Sequence, residues 1–249
     1  MNKLNDVLRK EISKKDISLI RSLKQKKYRN EYSMFVCEGE KIVEEACQSD
    51  MQVLKVFRTE DIGEDNMKKI SHQSSVSPIL ALVKKPEIDP FLSEFVDLSG
   101  VSIALDHLSD PGNMGTIIRL ADWFGINHIF ASEDTVDAYN NKVIQSSMGA
   151  IFRKHICYQN INNLCDRYLA ENGKVYGTFL EGDNIYQHEL NTQKALIVMG
   201  SENNGISSVI SKKVTDKLNI PPYPINEKGS ESLNVAMATA IVFSEFRRR

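Results

Sequence analysis

The stretch ALIVMGSENNGI, residues 195–206, joins five consecutive apolar residues to a polar loop bounded by Gly200 and Gly205. A short apolar run that ends at glycine is typical of a strand buried on both faces, as in a parallel sheet. Similar short runs occur at 101–105, 128–131, 174–178 and 216–220, and helical patterns lie between them at 113–124, 139–148, 161–172 and 232–246. We therefore predict an α/β fold with a mostly parallel sheet and helices on both faces.

The first part of the chain has its own, shorter alternation of elements. Strands are predicted at 33–37, 52–58 and 79–83, and helices at 38–47 and 64–73. Residues 86–99 are polar, contain two prolines and read as a linker. Because 249 residues suit two ordinary domains, we expect a small α/β domain over 1–95 and a larger one over 96–249.

The charge of the chain is balanced overall but unevenly distributed. The net charge is −2, yet residues 3–29 hold ten bases and three acids. Ile17, Ile20 and Leu23 share helical spacing in this segment, which predicts an amphipathic helix. Its basic face is either an ordinary solvated surface or a surface for phosphates.

Composition and residue spacing exclude several classes of protein. Hydrophobic residues make up 41% and charged residues 26% of the chain, a profile typical of a folded globular protein. The sequence has neither a signal peptide nor an apolar run of membrane-spanning length, so we expect a cytoplasmic protein that does not enter a membrane. The four cysteines and five histidines are scattered. We therefore expect reduced cysteines and no metal site.

Ligands of parallel sheets bind beyond the carboxyl ends of the strands, so the loops that follow the strands are the places to search. After 101–105, Asp110-Pro111-Gly112 forms a turn, and we predict Asn113 as the N-cap of the next helix. Arg119 lies off the apolar stripe of that helix. On spacing alone it either forms an ion pair with Asp110 or Asp122, or remains free for a ligand.

The loop at 200–205 has the glycine spacing of a phosphate-binding loop, but Ile206 stands where that loop requires lysine. This excludes a nucleoside triphosphatase of that type, and since no strand is followed by G-x-G-x-x-G, a dinucleotide oxidoreductase is poorly supported. The last helix, 232–246, is apolar on nearly every side, which indicates burial in the core or in a subunit interface. Ser232 and Asn234 lie where a helix cap is expected.

Taken in order, these loops resemble the three motifs of the SpoU (TrmH) family of RNA ribose methyltransferases. Residues 106–119 resemble the first motif, 200–206 the second, and Ile220-Pro221 with 232–236 the third. Residues 147–152 also resemble the family. Residues 10–46, especially Arg29 and 35–39, resemble the substrate-binding domain attached to many members.

The resemblance implies a SPOUT-type catalytic domain with a deep trefoil knot (an α/β knot) near its C-terminus, and an L30-like N-terminal domain. It also implies S-adenosylmethionine as methyl donor, a homodimer, no metal, and methylation of a ribose 2′-hydroxyl. Ribosomal RNA of the 23S type is the expected substrate. The alternatives are transfer RNA, or a non-catalytic RNA-binding protein of the same fold that acts in ribosome assembly.

The resemblance also implies a role for individual residues. Arg119 would bind the phosphate next to the reacting ribose and stabilise the developing alkoxide, because a guanidinium stays protonated and is a poor general base. The other residues expected in the catalytic site are Asn113, Glu202, Ser232 and Asn234. The residues expected to hold the cofactor are Thr178, Gly200, Ile220, Pro221 and Leu233. The residues expected to bind RNA are Lys24, Lys26, Lys27 and Arg29.

Overall fold

A computed structural model describes residues 3–86, 97–126, 128–224 and 232–248. The chain divides into two compact units. The first unit comprises Met1–Ile88 and Asp137–Arg153, and the second comprises Asp89–Val136 and Lys154–Arg249. The predicted domain boundary between 95 and 96 stays a prediction, since it falls at the edge of a segment, 87–96, that lies outside the described residues.

The elements follow one another along the chain as predicted in outline. The helices are α1 (Lys3–Val7), α2 (Lys14–Ser22), α3 (Lys26–Glu31), α4 (Glu40–Gln48), α5 (Thr59–Ile62), α6 (Glu64–Ile70), α7 (Pro111–Trp123), α8 (Asn141–Ser147), α9 (Ile161–Ala170), α10 (Ser208–Ser211) and α11 (Val235–Arg248). The strands are β1 (Leu8–Arg9), β2 (Met34–Glu38), β3 (Val53–Arg58), β4 (Ile79–Lys84), β5 (Gly100–Leu105), β6 (Ile129–Ala131), β7 (Ile156–Tyr158), β8 (Lys174–Asn184), β9 (Lys194–Met199) and β10 (Asp216–Asn219).

The first unit is built on a four-stranded sheet of order β1-β3-β4-β2. Strand β4 pairs antiparallel with β2 and β3, and β1 pairs parallel with β3. Ile20 and Leu23, two members of the predicted helical stripe, are buried with residues of this sheet in one core. The predicted amphipathic helix is therefore present as α2, with its apolar face directed into the core.

Segment 137–153 packs with the first unit, although the sequence pattern placed its helix among those of the larger domain. Helix α8 contacts β2, and the ring of Tyr139 lies 4.8 Å from that of Phe35. The side chain of Gln145 donates to the backbone oxygen of Glu38 at 2.8 Å. These contacts join residues about a hundred positions apart, so local periodicity carries no sign of them.

The second unit contains a six-stranded sheet of order β10-β8-β9-β5-β6-β7. Every neighbouring pair in it is parallel, which confirms the predicted parallel α/β sheet. The central strands β5 and β9 are largely apolar because they are covered on both faces. Val101, Ile103, Leu196 and Ile197 are all fully buried.

The register brings the carboxyl ends of β5, β6 and β9 to one edge of the sheet, beside Gly177 in the middle of β8. Leu105 pairs with both Ala131 and Met199, and Val198 pairs with Gly177. The loops that follow β5, β6 and β9 therefore start side by side, next to the point where β8 stops pairing with β9.

In the second unit, two of the predicted helix starts were wrong, and each error has a capping residue as its cause. Helix α7 begins at Pro111, because Asp110 is the N-cap and its Oδ1 accepts from the backbone N–H of Asn113 at 2.7 Å. The last helix begins at Val235, because Asn234 and not Ser232 caps it. The predicted trefoil knot stays a prediction: the stretch that leads to α11 includes 225–231, which lie outside the described residues.

Candidate functional site

Three loops that are far apart in the sequence are joined by the side chain of Asn113. Its Nδ2 donates to Oε1 of Glu202 in the loop after β9. Its Oδ1 accepts from Nδ2 of Asn234, at the start of α11, at 3.0 Å. The structure thus brings together three of the five residues predicted for catalysis, one from each motif.

Backbone geometry determines the direction of this hydrogen-bonded chain. Oδ1 of Asn234 accepts from the backbone N–H groups of Ala236 and Met237, at 2.9 and 3.3 Å, as an N-cap does. Its amide nitrogen must then point away from the helix and donate to Asn113. The chain ends on Glu202, whose ionised carboxylate can only accept. Both amide orientations are therefore set by the two ends of the chain.

The identity of the residue that caps α7 determines what the side chain of Asn113 can contact. As an N-cap, its side chain would be occupied by the backbone of α7. Because Asp110 caps the helix instead, Asn113 lies in the first turn and its amide is free to connect the other two loops.

Arg119 lies on α7, six residues after Asn113, and its side chain is exposed. Among the described residues it forms no hydrogen bond or ion pair, so the alternative of a pair with Asp110 or Asp122 is not realised. A solvated guanidinium carries five donors and a permanent positive charge. It is chemically suited to bind a phosphate or an anionic oxygen supplied by a ligand.

Gly200 is required by the backbone of its own loop. The N–H of Ser201 donates to the oxygen of Gly205 at 3.1 Å, and the N–H of Gly205 donates to the oxygen of Ser201 at 2.9 Å, which closes residues 201–205. A Cβ atom at Gly200 would lie 2.1 Å from the carbonyl carbon of Gly205. The tight loop holds Glu202 at the exposed surface beyond β9.

The remaining residues predicted to hold the cofactor lie within β8, just after β10 or just before α11. Thr178 follows the last residue of β8 that pairs with β9, and its hydroxyl lies 3.7 Å from Sδ of Met199. Ile220 and Pro221 follow β10 and are half-buried, and Leu233 is 52% exposed. Backbone groups just beyond β9 and β10, and beyond the point where β8 stops pairing with β9, suit a ligand with many polar atoms, such as S-adenosylmethionine.

Ser232 is exposed, and among the described residues its side chain forms no hydrogen bond. Within the described part of the second unit, no hydrogen bond therefore supports the prediction that Ser232 orders the catalytic loop. Its neighbour Asn234 makes the contacts that were expected of the pair.

Asp106 is the first residue of the first motif, and the sequence alone indicated no role for it. Its side chain is 2% exposed, and Oδ2 accepts from the backbone N–H of Ser207 at 2.7 Å, which ties the loop after β5 to the end of the 200–206 loop. Its Oδ1 lies 2.7 Å from Nδ1 of His107, whose Nε2 lies 2.9 Å from Asp134. The position of Asp106, immediately after a buried strand, was the available signal.

The residues predicted to bind RNA lie in the first unit and fall into two groups. Lys24, Lys26 and Lys27 are exposed at the end of α2 and the start of α3. Arg29 is buried and paired with Asp137, with Nε at 2.8 Å and a terminal nitrogen at 2.7 Å from the carboxylate. Its remaining terminal nitrogen donates to the backbone oxygens of Leu23 and Lys24. The prediction that Arg29 binds RNA was therefore wrong, because its donors are used inside the unit.

Among the described residues, no group of three histidine, cysteine or acidic side chains is arranged to hold a metal ion. No helix in the described part of the chain is long and apolar enough to cross a membrane.

Comparisons with known proteins agree with this arrangement. Residues 100–244 match the SpoU rRNA methylase family, and residues 14–84 match the MRM3-like substrate-binding domain. The 23S rRNA (guanosine(2553)-2′-O)-methyltransferase RlmP of Bacillus subtilis is 29% identical over 242 residues, which cover 91% of this chain and 94% of that protein.

Two solved structures share the fold over nearly the whole chain. A TrmH-family protein of Porphyromonas gingivalis has a TM-score of 0.81 at 34% identity, covering 95% of this chain and 98% of its own. An rRNA methyltransferase of Sinorhizobium meliloti, solved with AdoMet bound, has a TM-score of 0.83 at 24% identity, covering 97% and 98%. With the family match spanning more than half of its residues, the chain belongs to the SpoU rRNA methylase family.

Proposed function

We propose that this protein is an S-adenosylmethionine-dependent RNA methyltransferase that methylates a ribose 2′-hydroxyl of ribosomal RNA. The observation that carries the proposal is the chain of hydrogen bonds from Asn234 through Asn113 to Glu202, with an unpaired Arg119 on the same helix. A protein that only bound RNA would have no need of a side-chain network that joins three loops on the same helix that carries a free cation. The rRNA specificity of RlmP, at 91% coverage of this chain, favours ribosomal RNA over transfer RNA.

Methyl transfer to a ribose oxygen needs an acceptor that is held in line and loses its proton as the new bond forms. When bound, S-adenosylmethionine supplies a methyl group on a positively charged sulfur. Arg119 binds the RNA phosphate beside the ribose and stabilises the negative charge that develops on the 2′-oxygen. The hydroxyl proton leaves to solvent, since the guanidinium stays protonated and cannot accept it.

The residues around Arg119 have distinct tasks in this proposal. Asn113, Glu202 and Asn234 hold the loop after β9 and the start of α11 against α7, and the exposed hydroxyl of Ser232 donates a hydrogen bond to the bound ligand. Thr178, Gly200, Ile220, Pro221 and Leu233 form the walls of the cofactor pocket. Backbone groups make most of the contacts there, so residue identity matters most where space is limited, as at Gly200.

The wider organisation of the molecule completes the proposal. Residues 1–95 bind the RNA, residues 96–249 carry the catalytic domain with its trefoil knot, and the protein acts in the cytoplasm as a homodimer. Two exposed apolar side chains on the packed helices α7 and α11 support a subunit interface there: Trp123 is 84% exposed and Met237 is 62% exposed. Light scattering on the purified protein measures the subunit number.

The experiment that tests the function is mass-spectrometric mapping of ribose methylation in cells with and without the gene. We expect one 2′-O-methyl mark in ribosomal RNA to be lost on deletion and restored by the wild-type protein. Loss of a mark in transfer RNA instead would reassign the substrate. Unchanged marks in both RNA classes would contradict the enzymatic proposal and favour a role in RNA binding or ribosome assembly.

A further inference from the structure

Strand β8 leaves its ladder in the middle, beside the proposed cofactor pocket. Lys217 of β10 pairs with Gly177, but the next residue, Leu218, pairs with Asp183. The five residues of β8 between these two pairs, 178–182, therefore have no pairing partner in β10. The pairing of β8 with β9 also ends at Gly177. The backbone of 178–182 is held by neither neighbouring ladder, and something else must fix its position.

Strand β10 supplies that support through a side chain. Nδ2 of Asn219 donates to the backbone oxygens of Phe179 and Leu180, at 3.2 and 2.7 Å. One amide group thus replaces two hydrogen bonds that a regular ladder would have made. Asparagine is short, and its amide nitrogen carries two donors, which is what two adjacent carbonyls require.

Two further contacts bring residues 178–182, which we call the excursion of β8, close to β10. The ammonium of Lys217 lies 5.0 Å from the centre of the Phe179 ring, within range of a cation–π interaction. A Cβ atom at Gly182 would lie 2.7 Å from the backbone oxygen of Lys217, so only glycine allows this approach. The excursion is thus held in a defined position rather than left as a loose loop.

Asn219 lies between the two backbone segments that the proposed function assigns to the cofactor. The excursion that it holds starts at Thr178, and Ile220 and Pro221 follow it directly in the chain. A change at Asn219 therefore alters the spacing of both walls of the pocket at once. Nothing in the sequence pattern pointed to this residue, since an asparagine at the end of a strand is unremarkable in itself.

We propose that Asn219 is a positioning residue of the cofactor pocket: its amide holds residues 178–182 against β10 and thereby sets the distance between the two walls that bind S-adenosylmethionine. This inference rests on the proposed function, because it takes Thr178, Ile220 and Pro221 as the walls. Asn219 acts through the backbone of Phe179 and Leu180, so its loss affects cofactor affinity first and RNA affinity little.

The test compares Asn219→Asp with Asn219→Ala. Aspartate has nearly the same shape but places an oxygen against two carbonyl oxygens, whereas alanine removes the donors without adding charge. With two hydrogen bonds lost, we expect the Kd for S-adenosylmethionine, measured by calorimetry, to rise about tenfold or more in both variants. The KM for RNA should stay within about twofold of wild type, a split that general destabilisation of the fold would not produce.

Asn191→Asp is a matched control. Asn191 lies in the same unit, is exposed, and uses its Oδ1 to accept from the backbone N–H of Gln193, a role that aspartate retains. Cofactor affinity should be unchanged in this variant. An unchanged affinity in Asn219→Asp and Asn219→Ala, with wild-type protein binding the cofactor, would overturn the inference and leave the proposed function intact. Failure of the wild-type protein to bind S-adenosylmethionine would instead overturn the proposed function.

A second measurement keeps the inference testable if both variants fail to fold. In wild-type protein, hydrogen–deuterium exchange should slow on addition of S-adenosylmethionine in peptides that cover 178–182 and 217–221. Slowing at both segments supports the placement of Asn219 between two walls of one pocket. Slowing elsewhere, with neither segment affected, would contradict it.

Discussion

The amide nitrogen of Asn234 lies 3.0 Å from Oδ1 of Asn113, while Oδ1 of Asn234 accepts from the first backbone N–H groups of α11. One side chain thus caps a helix and connects two motifs of the site. The two tasks use different atoms, so they can be separated by mutation.

Asn234→Asp should separate stability from activity. An aspartate caps a helix as well as asparagine does and suits its positive end, so the free energy of unfolding should change by less than about 0.5 kcal/mol. It cannot donate to Asn113, so methyl transfer should fall by about tenfold or more. Asn234→Ala loses both tasks and should also cost about 1 kcal/mol of stability.

Denaturant unfolding and single-turnover methylation measure these two effects. Asn160→Asp makes the same change at the N-cap of α9, where the side chain accepts from the N–H of Asn163, and should leave turnover unaltered. Full activity in Asn234→Asp would show that the hydrogen bond to Asn113 has no part in the reaction.

The exposed lysines of the first unit should determine the salt dependence of RNA binding. Neutralising Lys24, Lys26 and Lys27 together removes up to three phosphate contacts and the counterions that they release. We expect weaker RNA binding at low salt and a slope of log K against log salt concentration that is shallower by about one to two units. A filter-binding titration at several salt concentrations measures the slope. If the triple variant keeps the wild-type slope, RNA does not contact this surface.

The buried pair of Arg29 and Asp137 should make a large contribution to the stability of the first unit. Arg29→Ala leaves an uncompensated carboxylate in the interior and should cost about 3–5 kcal/mol. Arg58→Ala, which breaks an exposed pair with Glu60, should cost less than about 1 kcal/mol. Urea unfolding of the two variants makes the comparison. Equal midpoints would contradict the structural role assigned to Arg29.

His72 should make the protein sensitive to acid. Burial lowers the pKa of His72 from 6.5 to about 4, and its ring lies 2.9 Å from the backbone oxygen of Ile20. Between pH 6.5 and 4, His72 is protonated in the unfolded chain but neutral in the folded protein. Stability therefore falls as the pH falls through this window, by up to about 1.4 kcal/mol per pH unit.

The neighbouring carboxyl of Glu38 acts in the opposite direction, because burial raises its pKa. The effect of His72 is therefore isolated by subtraction. His72→Gln keeps a donor for Ile20 but does not titrate, and the difference between its unfolding free energy and that of wild type should change between pH 7 and pH 4.5. If the two proteins have parallel pH profiles, His72 is not the group responsible.

The sequence predicted what depends on local pattern and missed what depends on distant contacts. The apolar run at 195–199 was enough to predict a buried parallel strand, because burial on both faces leaves no polar position. The site role of Asn113 stays a prediction, but its assignment as the helix cap was wrong, since Asp110 and Asn113 are both good capping residues and only the start of α7 decides between them.

The contacts that the sequence does not reveal join residues that are about forty to a hundred positions apart in the chain. Arginine is normally a surface residue, and the burial of Arg29 depends on Asp137, which lies 108 residues further along the chain. The support that Asn219 gives to the excursion after Gly177 likewise depends on the pairing of β8 with β10. Neither relationship leaves a periodic signal in one sequence.

The role of Arg119 is the central claim, and one measurement tests it most directly. Purified wild-type protein and Arg119→Ala are incubated with S-adenosylmethionine and ribosomal RNA that lacks the mark, and ribose methylation is quantified by mass spectrometry. We predict that the variant binds S-adenosylmethionine with wild-type affinity but methylates at least about a hundredfold more slowly, since it lacks the cation that stabilises the alkoxide. Methylation by Arg119→Ala at the wild-type rate would contradict the account.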